Sequence, residues 1–261
     1  MEAQRIDRRP APEGGDFAAW IAKVRGQVEL PRHVFDVLAT IPTERRDLNA
    51  KQRLYDQGSA EDRCYVVQEG WLIAFTLLPE GARYVHHIHQ AGDIVGVEDI
   101  HWNYSTCTVQ AVTPSRLASF PKHDHFRLFE ESPKLGAAFH GLTMCEQVAM
   151  MDRARANARL DSGLRIAHLL LQVEARQRLS SGAAPGSWFD FPLTQEQIAD
   201  TVGLTSVHAS RMVRQLTAEG GPVEREGRRY RLVQRDMLVD RTDFVDRYVI
   251  TNDRWVRLLA A

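Results

Sequence analysis

The stretch "LTQEQIADTVGLTSVHASRMVRQL", residues 193–216, decides how the rest of the chain is read. Thr194 suits a helix N-cap, and Gln195, Glu196 and Gln197 fill the turn that follows. Ile198 and Val202 are four apart and share a face, while Ala199 is small where a second helix must pass close. Gly203 permits the positive φ of a tight turn between helices, Leu204 fills the angle, and Thr205 or Ser206 caps the second helix. Ala209, Met212, Val213 and Leu216 give that helix a buried side. Its N-terminal half, where a recognition helix meets base edges, presents Ser206, His208, Ser210 and Arg211 outward as base-contact candidates.

Moving outward, "PVEREGRRYRLVQ" reads as a hairpin turning at Glu226 and Gly227, which makes a wing. Between residues 205 and 235 there are seven arginines and three acids, a local +4 in a chain of net charge -1. Arg214, Arg228 and Arg229, with the helix-start residues Thr194 and Thr205, are the phosphate-contact candidates. A helical hairpin with a solvated arginine face would share some of this pattern. The small residue, the glycine, the internal apolar set and the basic wing together favour double-stranded DNA.

The 261 residues suggest two domains, and 44% hydrophobic with 26% charged residues is ordinary globular composition. No apolar run is long enough to span a bilayer, and the first residues lack the apolar core of a signal peptide, so a cytoplasmic protein without membrane contact is expected. The scattered cysteines Cys64, Cys107 and Cys145 fit reduced thiols. Residues 1–26 read as a polar lead-in, and a short helix is expected over residues 27–38. From residue 48 to about residue 121 short strand-like runs alternate with turns at Glu69-Gly70, at 79–81, at 91–93 and at Thr113-Pro114, which suggests a sandwich or barrel. Residues 27–131 thus form one domain.

Ser132 and Pro133 then start a long helix, 132–159, on which Leu135, Ala138, Leu142, Cys145 and Ala149 form one apolar stripe. Phe139, Met144, Val148 and Met151 form a second, so the helix has two things to pack on: its own domain and a twin helix from a second subunit. The five-residue stripe is the dimer face expected here. Residues 160–240 make up the DNA-binding domain, and 241–261 a tail expected to be helical over 243–259.

These features resemble the CRP/FNR superfamily of bacterial transcription regulators. The resemblance runs from about residue 48 to residue 238 and rests on "CYVVQEGWLIAFTLLPEGARYVHHIHQAGDIVG", "VTPSRLASFP", the long helix, "RIAHLLL" and the opening stretch, whose Ser210-Arg211 matches the end of the family's recognition motif. It implies an α+β fold: an N-terminal β-roll (double-stranded β-helix) sensor, a long dimerisation helix and a C-terminal winged helix-turn-helix. It also implies homodimers on palindromic operators, a small-molecule effector, and RNA polymerase as a further candidate partner.

The departures narrow the effector. Cyclic-nucleotide-binding members carry Gly-Glu where this chain has Gly96-Val97, and Glu98, one residue late, would face the other side of a strand. They carry an arginine and a serine for the phosphate where this chain has Ser105-Thr106, and hydroxyl residues for the base where it has Met150-Met151. These six positions mark the expected effector pocket. A buried cyclic phosphate without a cationic partner is poorly stabilised, so cyclic AMP and cyclic GMP are not the expected effectors. The four-thiolate iron–sulfur branch is disfavoured by three cysteines, none before Cys64. That branch often has a glutamate where Val207 stands, so its operator does not carry over.

Other sensing chemistries stay open. Gly81, His87 and His89 resemble the start of a cupin metal motif, with Asp93 where a glutamate ligand would follow, but the later part of that motif is missing and no metal is expected. A haem or nitric-oxide sensor would draw an axial ligand from His86, His140 or Cys145, and Cys145 would serve a thiol switch. An apolar pocket could use Met144, Cys145, Met150 and Met151. A regulator controlled by abundance alone needs none of these. No nucleophile–base–orienter set and no phosphate-cradling glycine loop is present, so neither an enzyme nor a bound cofactor is expected.

Overall fold

The computed structural model describes residues 15–25, 32–249 and 252, without the side chains of Leu128 and Glu131. Among the described residues eight strands build the N-terminal unit: β1 (Glu44–Leu48), β2 (Arg53–Tyr55), β3 (Arg63–Glu69), β4 (Trp71–Leu77), β5 (Arg83–Gln90), β6 (Ile94–Val95), β7 (Thr108–Ala111) and β8 (Ser115–Pro121). They pair antiparallel as two four-stranded sheets, β1-β8-β3-β6 and β2-β7-β4-β5, which is the β-roll. The turns fall where glycine, proline and acidic residues interrupt the apolar runs. β1 begins before the expected strand region because four of its five residues are exposed, so no alternation announces it.

The strand sequences explain how the roll is covered. Side chains alternate along a strand. On β4, Leu72 and Ala74 enter the roll interior with Val67, Val109 and Leu117, whereas Ile73 and Phe75 join a second core on the other face. On β3, Tyr65 and Val67 point inward, while Cys64 and Val66 meet a third core. Both sheets are therefore buried on two faces, which is why "CYVV" and "LIAF" are continuously apolar.

The third core contains a helix that sequence reading did not expect. Residues 15–25 are not a polar lead-in: a 3-10 turn, Gly15–Phe17, leads into α1 (Ala18–Arg25), and Phe17, Trp20, Ile21 and Val24 are buried. Their spacing is an apolar stripe of helical period, but it is short and directly follows a charged run rich in proline and glycine. Residues 1–14 and 26 of that segment lie outside the described residues. The Phe17 ring packs 5.4 Å from Phe120, and Trp20 packs 5.3 Å from Phe139. Gly92, at the β5–β6 turn, lets α1 close in: a Cβ there would meet the Ala19 carbonyl oxygen at 2.8 Å. α2 (Arg32–Ala39) occupies the described part of the expected short helix, and α3 (Lys122–Glu131) is a further helix not expected.

α4 (Pro133–Arg159) starts as the sequence suggests, with the Ser132 hydroxyl accepting from the Leu135 N–H at 3.3 Å and Pro133 in the first turn. α5 (Ser162–Ser181) is capped by Asp161 and ended by Gly182 in the left-handed region. Its residues from Ile166 to Arg176 are buried all round, because α5 lies between the roll and the C-terminal unit. That unit adds β9 (Phe189–Asp190), α6 (Gln195–Val202), α7 (Ser206–Leu216), β10 (Val223–Glu226), β11 (Arg229–Leu232) and α8 (Arg235–Thr242). Arg83 on β5 holds the two units together, with its guanidinium 2.6 Å from Asp200 on α6. The tail is not helical over residues 244–249, where Phe244 and Tyr248 are buried instead; 250, 251 and 253–261 lie outside the described residues. Among the described residues no helix is long and apolar enough to cross a membrane.

His168 on α5 carries a testable consequence. It is 1% exposed, among the described residues neither ring nitrogen has a hydrogen-bond partner, and its ring meets Phe244 edge-on at 5.6 Å. Burial pushes its pKa down to about 4. The unfolded chain takes up this proton near pH ~6.5, so stability is full above that pH and falls as pH drops toward 4. From the pH 7 plateau to pH 5 this one group should remove about 2 kcal/mol of stability. Urea unfolding of His168→Leu at both pH values should show a drop smaller by that amount; equal drops in the two proteins would refute the assignment.

Candidate functional site

The C-terminal unit is built to hold one helix rigidly outward. In α6 the Thr194 hydroxyl accepts from the Gln197 N–H at 3.2 Å, and the Gln197 side chain accepts from the Thr194 N–H at 2.9 Å, closing a capping box. Gly203 has φ +68°, so the chain turns there at no steric cost. The Thr205 hydroxyl accepts from the His208 N–H at 3.3 Å and starts α7. Ile198, Ala199, Val202, Ala209 and Val213 form the core between the helices, with Leu204 half-buried at the bend. The threonine hydroxyls serve as caps, yet each keeps its own O–H to donate.

On the outer side of α7, Ser206, Val207, Arg211 and Arg214 are exposed and Ser210 is half-buried. His208 has a different place from the one expected. Its Nε2 lies 2.7 Å from the Ser162 hydroxyl and its Nδ1 3.2 Å from the Arg211 guanidinium. With Nδ1 accepting from Arg211, the ring proton sits on Nε2 and faces Ser162. The imidazole is a strut between α5 and Arg211, and both its nitrogens are occupied. Val207, 79% exposed, holds the outward position instead. The sequence marked Val207 only as a departure from the glutamate often found there, because an isolated valine on a helix carries no signal for base contact.

The wing arginines divide in two. Arg228 and Arg229 are exposed at the β10–β11 turn, with Arg229 stacked over Trp188 at 5.7 Å. Arg235 is turned inward, 2.8 Å from the buried Glu174, and Arg231 lies 3.5 Å from Glu224. The local positive charge facing solvent is therefore smaller than the arginine count implies.

A second site lies in the N-terminal unit, where a cavity of about 810 Å³ opens between the roll, α1 and α4. Trp20, Ile94, Val97, Phe139, Leu142 and Met150 supply apolar wall, and His86, His87, His89 and Glu98 supply polar groups. Of the six positions expected to form an effector pocket, Val97, Thr106 and Met150 line this cavity. Gly96 and Ser105 do not, and Met151 is 62% exposed and lies outside it. Glu98 also departs from expectation. The strand ends at Val95, the chain bends, and Glu98 returns to the same cavity as Val97, accepting from the Gly96 N–H at 3.0 Å. Thr106 is engaged by Asp99, whose carboxylate accepts both its N–H at 2.9 Å and its hydroxyl at 2.5 Å.

The floor of the cavity is a buried charge network that joins four elements. Asp93, at the β5–β6 turn, accepts from Lys23 of α1 at 2.7 Å and from Arg176 of α5 at 2.6 Å. Glu146 of α4 lies 3.1 Å from the same lysine and 3.0 Å from the same arginine. The Tyr248 hydroxyl donates to Glu146 at 3.1 Å, and Arg176 also donates to the Ile88 carbonyl at 2.6 Å. Burial alone would raise the Asp93 carboxyl, but Arg176 and Lys23 outweigh it and hold it down at about 2. Two cations and two anions balance, which makes their burial tolerable and makes removal of any one costly. Burial pushes His87 down, and pushes His89 down to about 4, so both stand as neutral imidazoles. Cys64 and Cys107 are pushed up to about 12 by burial, which leaves little reactive thiolate at either.

The expected dimer stripe is covered by the chain itself. Leu135, Ala138 and Leu142 pack into the core beneath α1, while Ala149 and Cys145 pack toward α5. The α4 side left open carries Met144, Val148 and Met151, followed by the small Ala154 and Ala158.

Comparison with known proteins covers both units of the chain. A family described as "Cyclic nucleotide-binding domain" matches residues 45–132, and one described as "Crp-like helix-turn-helix domain" matches residues 164–241. The nitrogen fixation regulation protein FixK of Rhizobium meliloti (strain 1021) is 30% identical over 166 residues, which cover 63% of this chain and 71% of that protein. A probable transcriptional activator of Rhizobium leguminosarum bv. viciae is 26% identical over 178 residues, 67% of this chain and 72% of the relative. Among solved structures, FixK2 from Bradyrhizobium japonicum superposes with a TM-score of 0.66 at 19% identity, over 77% of this chain and 98% of that one.

Proposed function

The chain belongs to the CRP/FNR family of transcription regulators, and from that premise we propose that it is a sequence-specific DNA-binding homodimer whose recognition helix is α7 and whose effector site is the cavity between the roll and α4. The single observation that carries the reading is the α7 surface. A capped, rigidly seated helix presents Ser206, Val207 and Arg211 outward, and a basic wing stands beside it. The relatives are described as a probable transcriptional activator and a nitrogen fixation regulation protein, which supports a regulatory role.

In this reading Arg211 forks onto a guanine edge, Val207 lies against a thymine methyl, and Arg214, Arg228 and Arg229 meet phosphates with the Thr194 and Thr205 hydroxyls. Two copies joined along Met144, Val148 and Met151 place their α7 helices on half-sites about one DNA turn apart. Ligand in the cavity touches α1, the β5–β6 turn and α4 together, so it acts on the element that sets the spacing of the two readers. The cations at the cavity floor are already paired with Asp93 and Glu146, and no arginine stands at residues 105 and 106. This argues for an effector other than a cyclic nucleotide.

The test is binding to palindromic duplexes from the chain's own promoter regions, followed by fluorescence anisotropy across salt concentrations. Three phosphate-facing arginines per subunit predict a log–log salt slope of about -5 for the dimer. Absence of binding to every such duplex, even at low ionic strength, would refute the reading.

A further inference from the structure

The regulator reading leaves two imidazoles on the cavity floor without an assigned part, beside the Asp93 carboxylate of the charge network. His87 and His89 are two apart on β5, so they leave the same side of the strand, with rings 4.2 Å apart. Asp93 follows at the turn, and one donor atom from each of the three lies within 4.8 Å of the others. His89 is 1% exposed and lines the cavity, yet among the described residues neither of its ring nitrogens has a hydrogen-bond partner. A buried polar ring left wholly unsatisfied needs a reason. Glu98 stands close, with a carboxylate oxygen 3.9 Å from His89 Nε2.

We propose that His87, His89 and Asp93 form a binding site for a divalent transition-metal ion, in competition with the Arg176 guanidinium. Arg176 Nη2 lies 2.6 Å from Asp93 and 3.3 Å from His87 Nε2, so the arginine engages two of the three ligands while the third is left bare. Two neutral imidazoles and one carboxylate suit zinc, iron(II), cobalt or nickel rather than magnesium or calcium. An ion there takes Asp93 from Arg176 and repels the guanidinium, and Glu146 and the Ile88 carbonyl remain to hold the displaced side chain. Because Arg176 belongs to α5, which seats α7 through Ser162 and His208, the exchange loosens one tie between the cavity and the DNA-reading unit. That last consequence rests on the proposed regulator function; the site itself does not.

The experiment uses the full chain stripped with a chelator. Cobalt(II) is titrated by visible absorption, zinc(II) is titrated against a chromophoric chelator, and the zinc-loaded protein is examined by X-ray absorption. One ion per chain is expected, with two imidazoles among its ligands. His89→Gln should weaken binding at least about 100-fold, more than a supporting residue would. Arg176→Gln should tighten it, which a merely structural arginine would not do. The wild-type absorption measurement decides the matter even if a variant fails to fold. No stoichiometric ion, no imidazole in its shell, or unchanged affinity in folded His89→Gln would overturn the site. No DNA enters these titrations, so an ion-binding chain that ignores promoters sinks the regulator reading alone, and a DNA-binding chain that takes no ion sinks the metal site alone.

Discussion

Met151→Glu is expected to make the chain monomeric and to weaken its binding to a palindromic operator by about 10²–10⁴-fold, the advantage of joining two modest binding events. Met151 is 62% exposed, and Met144 and Val148, each 38% exposed, lie seven and three residues before it on the same side of α4. A single copy leaves this stripe in water, and a second copy laid along it would bury all three. A glutamate at its C-terminal end would have to lose its hydration on both chains with no cation opposite it among these residues. Nothing in the chain's own core changes, because the buried side of α4 is carried by Ala149, Arg153 and Ala156. Sedimentation should therefore give a folded monomer with unchanged circular dichroism. Leu142→Glu, on the stripe that sequence alone assigned to the partner, should instead damage folding, since Leu142 packs beneath α1. A dimeric Met151→Glu protein, or a monomeric wild type, would remove the symmetric reading.

What the sequence made legible is what local chemistry decides. Thr194, Gly203 and Thr205 announce two helices and the bend between them because caps and positive φ are requirements of single residues. The strand breaks follow turn residues for the same reason. Which of two apolar stripes on α4 faces inward is not local. It depends on α1, whose own apolar spacing at Phe17, Trp20, Ile21 and Val24 was hidden among charged and proline-rich neighbours. The charge network was equally invisible. Lys23, Asp93, Glu146 and Arg176 are far apart in the chain, and each alone reads as a solvated surface residue. Glu98 was misplaced because continuing the strand beyond Val95 reverses its side, and only the backbone bend returns it to the cavity.

Arg211→Ala is expected to cost about 2–6 kcal/mol of operator discrimination across two half-sites, from the value of one bidentate guanine contact in each. The geometry makes this contact a prepared one. His208 holds the Arg211 guanidinium at 3.2 Å and is itself anchored at 2.7 Å to Ser162 on α5, so less side-chain freedom is lost on binding. Arg211→Lys should not rescue discrimination, because an ammonium keeps the charge but lacks the planar fork. His208→Ala should produce a smaller loss in the same direction, since it frees the arginine without removing it. Arg228→Ala provides the contrast. A phosphate contact carries no sequence information, so affinity should fall equally for operator and altered duplex, and the salt slope should become shallower by about 2 for the dimer. Competition binding with duplexes altered one base pair at a time separates these outcomes. Discrimination lost at a single symmetric position in Arg211→Ala, and kept in Arg228→Ala, identifies the reader. If Arg211→Ala lowers affinity for all duplexes alike, the arginine is a phosphate contact, and base reading falls to Val207, Ser206 and Ser210.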